Sequence, residues 1–131
     1  MSRKSTGRPT NAELAILSVL WENGPGTVRE VHDKLDGDVG YTTVLKLMQI
    51  MTEKGLVERD ESQRAHVYSA TRPREETQGN LVGDLITRAF DGSASKLVLQ
   101  ALANRPTSKD ELDQIRQLLD DLESQSGEPT P

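Results

Sequence analysis

The chain has no cysteine among its 131 residues. That excludes a disulfide framework, a thiolate metal site and a cysteine nucleophile together. Aromatic residues are nearly as scarce: Trp21, Tyr41, Tyr68 and Phe90 are the whole set. No apolar run approaches the roughly 18 residues that a membrane span requires. The first twelve residues are polar and basic, without the apolar segment of a secretory leader. The expectation is a soluble, cytoplasmic protein with a small core of Leu, Val and Ile. Motifs that carry chemistry are missing too. The two histidines, His32 and His66, have no partner at metal-ligand spacing. There is no P-loop, nucleophile elbow or dinucleotide fingerprint. Glu75-Glu76 and Asp120-Asp121 are adjacent pairs, which diverge on a helix. Asp36-Gly37-Asp38 lacks the spacing of a calcium loop. Neither an enzyme nor a bound metal or cofactor is expected.

What the chain does have is charge, at 28% of residues and a net of −5. A negative total at first argues against nucleic acid. Dividing the chain at Arg74 changes that inference. Residues 1–74 hold 11 Lys+Arg and 10 Asp+Glu, whereas residues 75–131 hold 5 and 11. The net charges are +1 and −6, an asymmetry that suggests divided labour. In the first half the cations gather at Arg3, Lys4 and Arg8 and again at Arg59, Arg64, Arg72 and Arg74.

The local pattern gives a basic, disordered arm over 1–9, then three helices. Thr10 with Glu13 is a capping box, in which each side chain satisfies an orphan N–H of the other. Leu14, Leu17, Leu20 and Trp21 follow at helical spacing, and Asn23-Gly24-Pro25-Gly26 stops the helix. Thr27 with Glu30 opens a short second helix carrying Val28, Val31 and Leu35. A third runs from about Tyr41 to Lys54, with Val44, Leu47, Met48 and Met51 inward and Gly55 at its end. Two alternating segments, 56–59 and 65–70, joined by the polar run 60–64, predict a β-hairpin. Three further helical stripes follow, and the polar segment 124–131 reads as a flexible tail.

Three helices and a hairpin in about 65 residues are the layout of a winged helix-turn-helix. The fold class expected is mainly α, a winged helix over 10–74 followed by a helical region over 75–123. In that layout the third helix lies in the DNA major groove with its N-terminal end against the base edges. Thr42, Thr43, Lys46 and Gln49 lie away from the inward face and suit phosphate or base contacts. Leu45 packs under the wing or meets a thymine methyl. Tyr41 is a further DNA-facing candidate at the helix start. Arg64 and His66 place positive or ionisable groups on the wing 56–70, and Arg8 adds one from the arm. His32, on a polar helix, reads as a surface residue.

The segments TVREVHDKL (27–35) and YTTVLKLMQIMTEKGLVERDESQRAHVYSA (41–70) resemble the penicillinase-repressor (BlaI/MecI) family of bacterial transcriptional regulators. The specific part is Tyr41-Thr42-Thr43-Val44, then Glu53-Lys54-Gly55-Leu56-Val57, then Arg64-Ala65-His66-Val67-Tyr68. The likeness continues through LVGDLITRAFDGSASKLVLQAL (81–102) and covers roughly 10–123. It implies a homodimeric repressor that binds a palindromic, double-stranded operator. It also implies Thr42, Thr43 and Lys46 on the recognition helix, Arg64 and His66 on the wing, and a C-terminal dimerisation region. In one branch of the family a membrane-bound sensor metalloprotease ends repression by cutting that region in a Leu-Val-Leu-Asn-Phe-like stretch. The equivalent here is Leu97-Val98-Leu99-Gln100-Ala101, so Gln100-Ala101 replaces the Asn-Phe bond. The copper-responsive branch carries cysteine pairs, which this chain lacks.

The residues point to a dimer independently of the family. Leu112, Ile115, Leu118, Leu119 and Leu122 put five large aliphatics on one helix, beside stripes carrying Leu81, Leu85, Phe90 and Leu97. A half-chain of 57 residues does not easily cover three such stripes, and exposed stripes mark interfaces. Twofold symmetry would also suit two half-sites. The alternative is a winged-helix protein-interaction module without specific DNA binding.

Overall fold

The computed structural model describes residues 8–126. Arg3 and Lys4 of the expected basic arm, and positions 127–131 of the expected tail, lie outside the described residues. The elements run α1 (Asn11–Asn23), α2 (Val28–Lys34), α3 (Tyr41–Lys54), β1 (Val57–Asp60), β2 (Val67–Ala70), α4 (Arg74–Ala89), α5 (Ala94–Asn104) and α6 (Lys109–Ser126). They divide into two compact units, the first ending at Gly83 and the second beginning at Asp84.

Both predicted capping boxes of the first unit form. The Thr10 hydroxyl accepts from the Glu13 N–H at 3.2 Å while the Thr10 N–H donates to Glu13 Oε1 at 2.9 Å. Thr27 and Glu30 repeat the exchange at 3.1 and 2.9 Å. α1 then buries Ile16, Leu17 and Leu20, and α2 buries Val28 and Val31. α3 has no side-chain cap and starts after Gly40. It buries Val44, Met48 and Met51, one residue per helical turn, and these complete the core with Leu56, Val57 and Tyr68. Gly55 ends α3 at φ 81, the left-handed conformation that favours glycine.

The hairpin is antiparallel, with Val57 opposite Ala70, Glu58 opposite Ser69, Arg59 opposite Tyr68 and Asp60 opposite Val67. Its strands are shifted from the expected segments. The Leu56 N–H is taken by the Met51 carbonyl at 2.9 Å, so Leu56 still belongs to the end of α3. Asp60 joins the ladder, Ala65 and His66 do not, and the connecting loop is 61–66.

A non-local pairing anchors the wing. Gly26 and Tyr68 exchange both backbone hydrogen bonds, at 3.0 and 2.8 Å, which adds the α1–α2 connection beside β2. A Cβ at Gly26 would lie 3.3 Å from Glu30 Oε1, so a larger residue would press on the α2 cap. At the hairpin exit the Trp21 indole N–H donates to the Arg72 carbonyl at 2.9 Å, and the Thr71 hydroxyl donates to that of Gly55 at 2.7 Å.

Glu13 is the one charged side chain in this core, at 2% exposure. Besides capping α1, its carboxylate accepts from Lys54 Nζ at 2.8 and 3.0 Å. The start of α1 is thereby bound to the end of α3, 41 residues away.

The second unit is assembled differently. α4 ends through Asp91 and Gly92, both at positive φ. Ser93 caps α5 by accepting from the Lys96 N–H at 3.1 Å, and Ser108 with Glu111 forms a third capping box at 3.0 and 3.1 Å. Yet no described residue from Asp84 onward is buried. Leu97, Leu112 and Ile115 are half-buried, whereas Leu99 is 68% and Leu118 55% exposed.

Removing Lys54 strands the Glu13 carboxylate in the core. We expect Lys54→Met to cost about 3–5 kcal/mol in urea denaturation. Pairing it with Glu13→Gln should recover a large part of the loss, since no unpaired charge then remains.

Candidate nucleic-acid interface

α3 presents Tyr41, Thr42, Thr43, Lys46 and Gln49 outward while Val44, Met48 and Met51 point inward. Thr42, Lys46 and Gln49 share one exposed stripe of the helix with Thr43 beside them, whereas Tyr41, also exposed, lies at the helix start on the side of Leu45. Leu45, beside them, is half-buried and joins the wing side of the helix, as one of its two expected placements had it.

Arg64 and His66 are exposed in the wing loop and come to the first turn of α3. With Arg29, Val28, Tyr41 and Leu45 they line a hollow of about 230 Å³ between α2, α3 and the wing. Arg8 is exposed and lies elsewhere. It is two residues before Thr10, whose cap partner Glu13 binds the C-terminal end of α3. The far end of α3 is about 20 Å away, at 1.5 Å per residue.

Tyr41 is held from two sides. The His32 ring meets it edge-on, with centroids 6.0 Å apart, and the Arg29 guanidinium lies 5.0 Å from its centroid. His32 is not the plain surface residue expected. It is half-buried; its Nε2–H donates to the Val39 carbonyl at 3.0 Å, and its Nδ1 lies 3.2 Å from Asp33 Oδ1. It ties α2 to the turn that launches α3.

Ion pairing decides which cations remain available. Lys54 pairs with Glu13, Arg59 with Glu61, Arg72 with Glu76, Arg88 with Asp84, and Lys109 and Arg116 with Asp113. Arg59, counted above among the first-half cations, is therefore compensated. The buried Tyr68 hydroxyl and then the Glu61 carboxylate raise its pKa still further. Among the described residues, no carboxylate pairs with Arg29, Lys46 or Arg64. Nearby carboxylates are occupied: Glu30 in the α2 cap and Asp33 beside His32. Sequence reasoning counted neither Arg29 nor His32 toward the site. The signal for Arg29 is its position two residues into α2, on the side turned to Tyr41.

The side chains named for dimerisation are spread along α4 to α6. Leu81, Phe90, Leu97, Leu112 and Ile115 are half-buried; Leu85, Leu118, Leu119 and Leu122 are about half exposed. Phe90 and Leu99 line one shallow hollow together with Gln100. Gln100 and Ala101 sit in the middle of α5, where the Asn104 amide donates to the Gln100 carbonyl at 2.9 Å and to its side-chain oxygen at 2.8 Å. No described helix is long and apolar enough to cross a membrane.

A three-helix core, a hairpin wing pinned to the α1–α2 connection and an exposed polar α3 define a winged helix-turn-helix protein with a helical C-terminal region. Comparison with known proteins agrees. The penicillinase repressor family model matches residues 9–121. A transcriptional regulator BlaI of Mycobacterium tuberculosis is 34% identical over 122 residues, which is 91% of this chain and 88% of the relative. Penicillinase repressors of Bacillus licheniformis and Staphylococcus aureus are 21% and 19% identical, over 91% and 85% of this chain and 94% and 90% of their own lengths. The chain belongs to the penicillinase repressor family. It is a transcriptional regulator and not an enzyme.

The wing loop carries a pH-dependent element. Asp60 Oδ1 accepts from the Ser62 N–H at 2.9 Å, and this bond holds the carboxyl below its ordinary value of 3.8. A lowered folded pKa stabilises the turn above the unfolded value and loses that contribution as pH falls through the folded one. The Ser62 amide resonance should therefore shift on acidification with a midpoint below 3.8. In Asp60→Ala that titration should vanish.

Proposed function

We propose that the protein is a cytoplasmic, homodimeric repressor that reads a palindromic operator through α3 and the wing. The observation that carries this is the exposed α3 face, with Thr42, Thr43, Lys46 and Gln49 beside cations that no described carboxylate neutralises. Threonine methyls and hydroxyls suit thymine and phosphate, and lysine suits phosphate or guanine. Arg64 and His66 extend that face along the wing, and Arg8 meets the backbone near the other end of α3. The second unit supports the dimer. None of its described residues is buried, and Leu85, Leu118 and Leu119 are about half exposed. A second copy would cover that surface.

Release by a membrane sensor metalloprotease or by another signal belongs to the same reading. A membrane sensor metalloprotease cutting at Gln100-Ala101 would separate the reading heads from α6. Proteases take substrate in extended form, so α5 must first open and give up the Asn104 contacts to Gln100.

The test is a fluorescence-anisotropy titration on duplex DNA from upstream of the protein's own gene, at about 50 and 200 mM salt. We expect specific binding that weakens steeply with salt. Lys46→Ala should lower affinity by about 1–3 kcal/mol if the lysine reads guanine, with the dimer unchanged in sedimentation. A folded dimer that shows no specific shift overturns DNA reading and leaves a protein-interaction module. Leu118→Asp with Leu119→Asp should give a monomer whose first unit remains folded and whose operator affinity collapses.

A further inference from the structure

We propose that the hollow between α2, α3 and the wing seats one backbone phosphate and its deoxyribose in each half-site, with Arg29 as the clamping cation. The proposal rests on the DNA-reading function above and specifies a contact within it. Arg29, Arg64 and His66 stand on the rim, and Val28 and Leu45 form an apolar floor. Two guanidiniums facing one hollow without a paired carboxylate repel each other until an anion enters. An apolar floor beneath such a rim fits the carbon face of a sugar carrying that anion. The site also stands where a DNA strand must pass, because it adjoins the first turn of α3, the end that a reading helix turns to the base edges.

The clamp is held in place before binding. The Arg29 guanidinium stacks 5.0 Å from the Tyr41 ring centroid, and the His32 ring braces Tyr41 from its edge. His32 is itself fixed by the Val39 carbonyl at 3.0 Å. A planar cation kept over an aromatic face loses less side-chain freedom when it binds than a free lysine does. Tyr41, Thr42 and Thr43 would then read bases while the phosphate on Arg29 sets the register of α3 in the groove.

The experiment measures operator affinity of the full chain against salt, using duplex DNA from upstream of its own gene. Arg29→Ala should weaken binding about tenfold or more at low salt. It should flatten the slope of log affinity against log salt by about 0.9 for each copy bound. Matched and mismatched sites should suffer equally, because a phosphate carries no sequence information. Arg29→Lys should keep the slope and lose part of the affinity. Tyr41→Leu should reduce the affinity cost of a subsequent Arg29→Ala but leave its effect on the slope, since the unstacked guanidinium keeps its charge and loses only its brace. Lys34→Ala, at the other end of α2, is the control and should leave the slope unchanged. If wild-type protein binds its operator but Arg29→Ala keeps the wild-type slope, the clamp is wrong. It is equally wrong if Lys34→Ala flattens the slope as much, for the field is then diffuse. Failure of the wild type to bind any duplex specifically overturns the functional reading instead.

Discussion

The buried Glu13 carboxylate is the constraint from which the first unit takes its shape. A lone charge at this depth is costly, and here one group satisfies three demands: the first turn of α1, the Lys54 ammonium, and its own desolvation. Because Lys54 is the last residue of α3, the same contact fixes where that helix ends. Gly55 then turns the chain and Leu56 drops into the core, so the hairpin starts from a determined point. At the opposite side Gly26 and Tyr68 pair through their backbones, and Trp21 holds the Arg72 carbonyl. The Glu13–Lys54 pair holds the C-terminal end of α3, and the His32–Val39 hydrogen bond holds the turn before its start. A helix proposed to present side chains to DNA needs that precision more than it needs added stability.

The net charge of −5 describes this molecule poorly, because the charge is unevenly divided along the chain. Most described carboxylate–cation pairs lie outside the α2–α3–wing face: at the α1–α3 junction, at the start of α4, and on α4 and α6. Arg59 is the exception on the wing, and Glu61 answers it. Among the described residues no carboxylate pairs with Arg29, Lys46 or Arg64 beside the exposed face of α3, nor with Lys34, Arg74, Lys96 or Arg105 elsewhere in the chain. At physiological salt, interactions fade over roughly 8 Å, so a phosphate at that face would feel the neighbouring Lys46, Arg29 and Arg64 more than the net charge of the whole chain. A few placed groups then decide affinity, where a broadly basic protein would rely on its total.

Much of this was legible in the residues. Capping boxes, the Val44–Met48–Met51 periodicity and Gly55 specify the helices through local chemistry, which a linear reading captures. The family resemblance rests on the same segments, 27–35 and 41–70. The hairpin ends were misjudged by a residue or two because Asp60 looks like loop by composition and is strand by pairing with Val67. The Gly26–Tyr68 bridge was invisible, since nothing near either residue announces the other. Arg29 and His32 escaped for a related reason. On a polar helix each resembles a solvated side chain, and their significance depends on where the Tyr41 ring sits in three dimensions. Positions that act through local geometry are readable from sequence; positions that act through a neighbour's side chain are not.

The second unit poses a physical problem that bears on regulation. Its helices are capped as carefully as those of the first, yet none of its described residues from Asp84 on is buried. Helix formation without a core is marginal in water, so most of the stabilisation must come from what covers Leu118 and Leu119. If that cover is a second copy, stability of this unit and protein concentration are linked. Operator affinity is linked as well, because two joined heads bind the second half-site at a high effective concentration and two separate heads do not. A reading head with a net of only +1 over residues 1–74 has little affinity to fall back on alone. Any signal that opens α5 or parts the helices therefore needs no contact with the DNA-facing surface. In the proposed repressor it acts on the unit whose described residues are least buried, and loss of the proposed pairing alone would empty the operator.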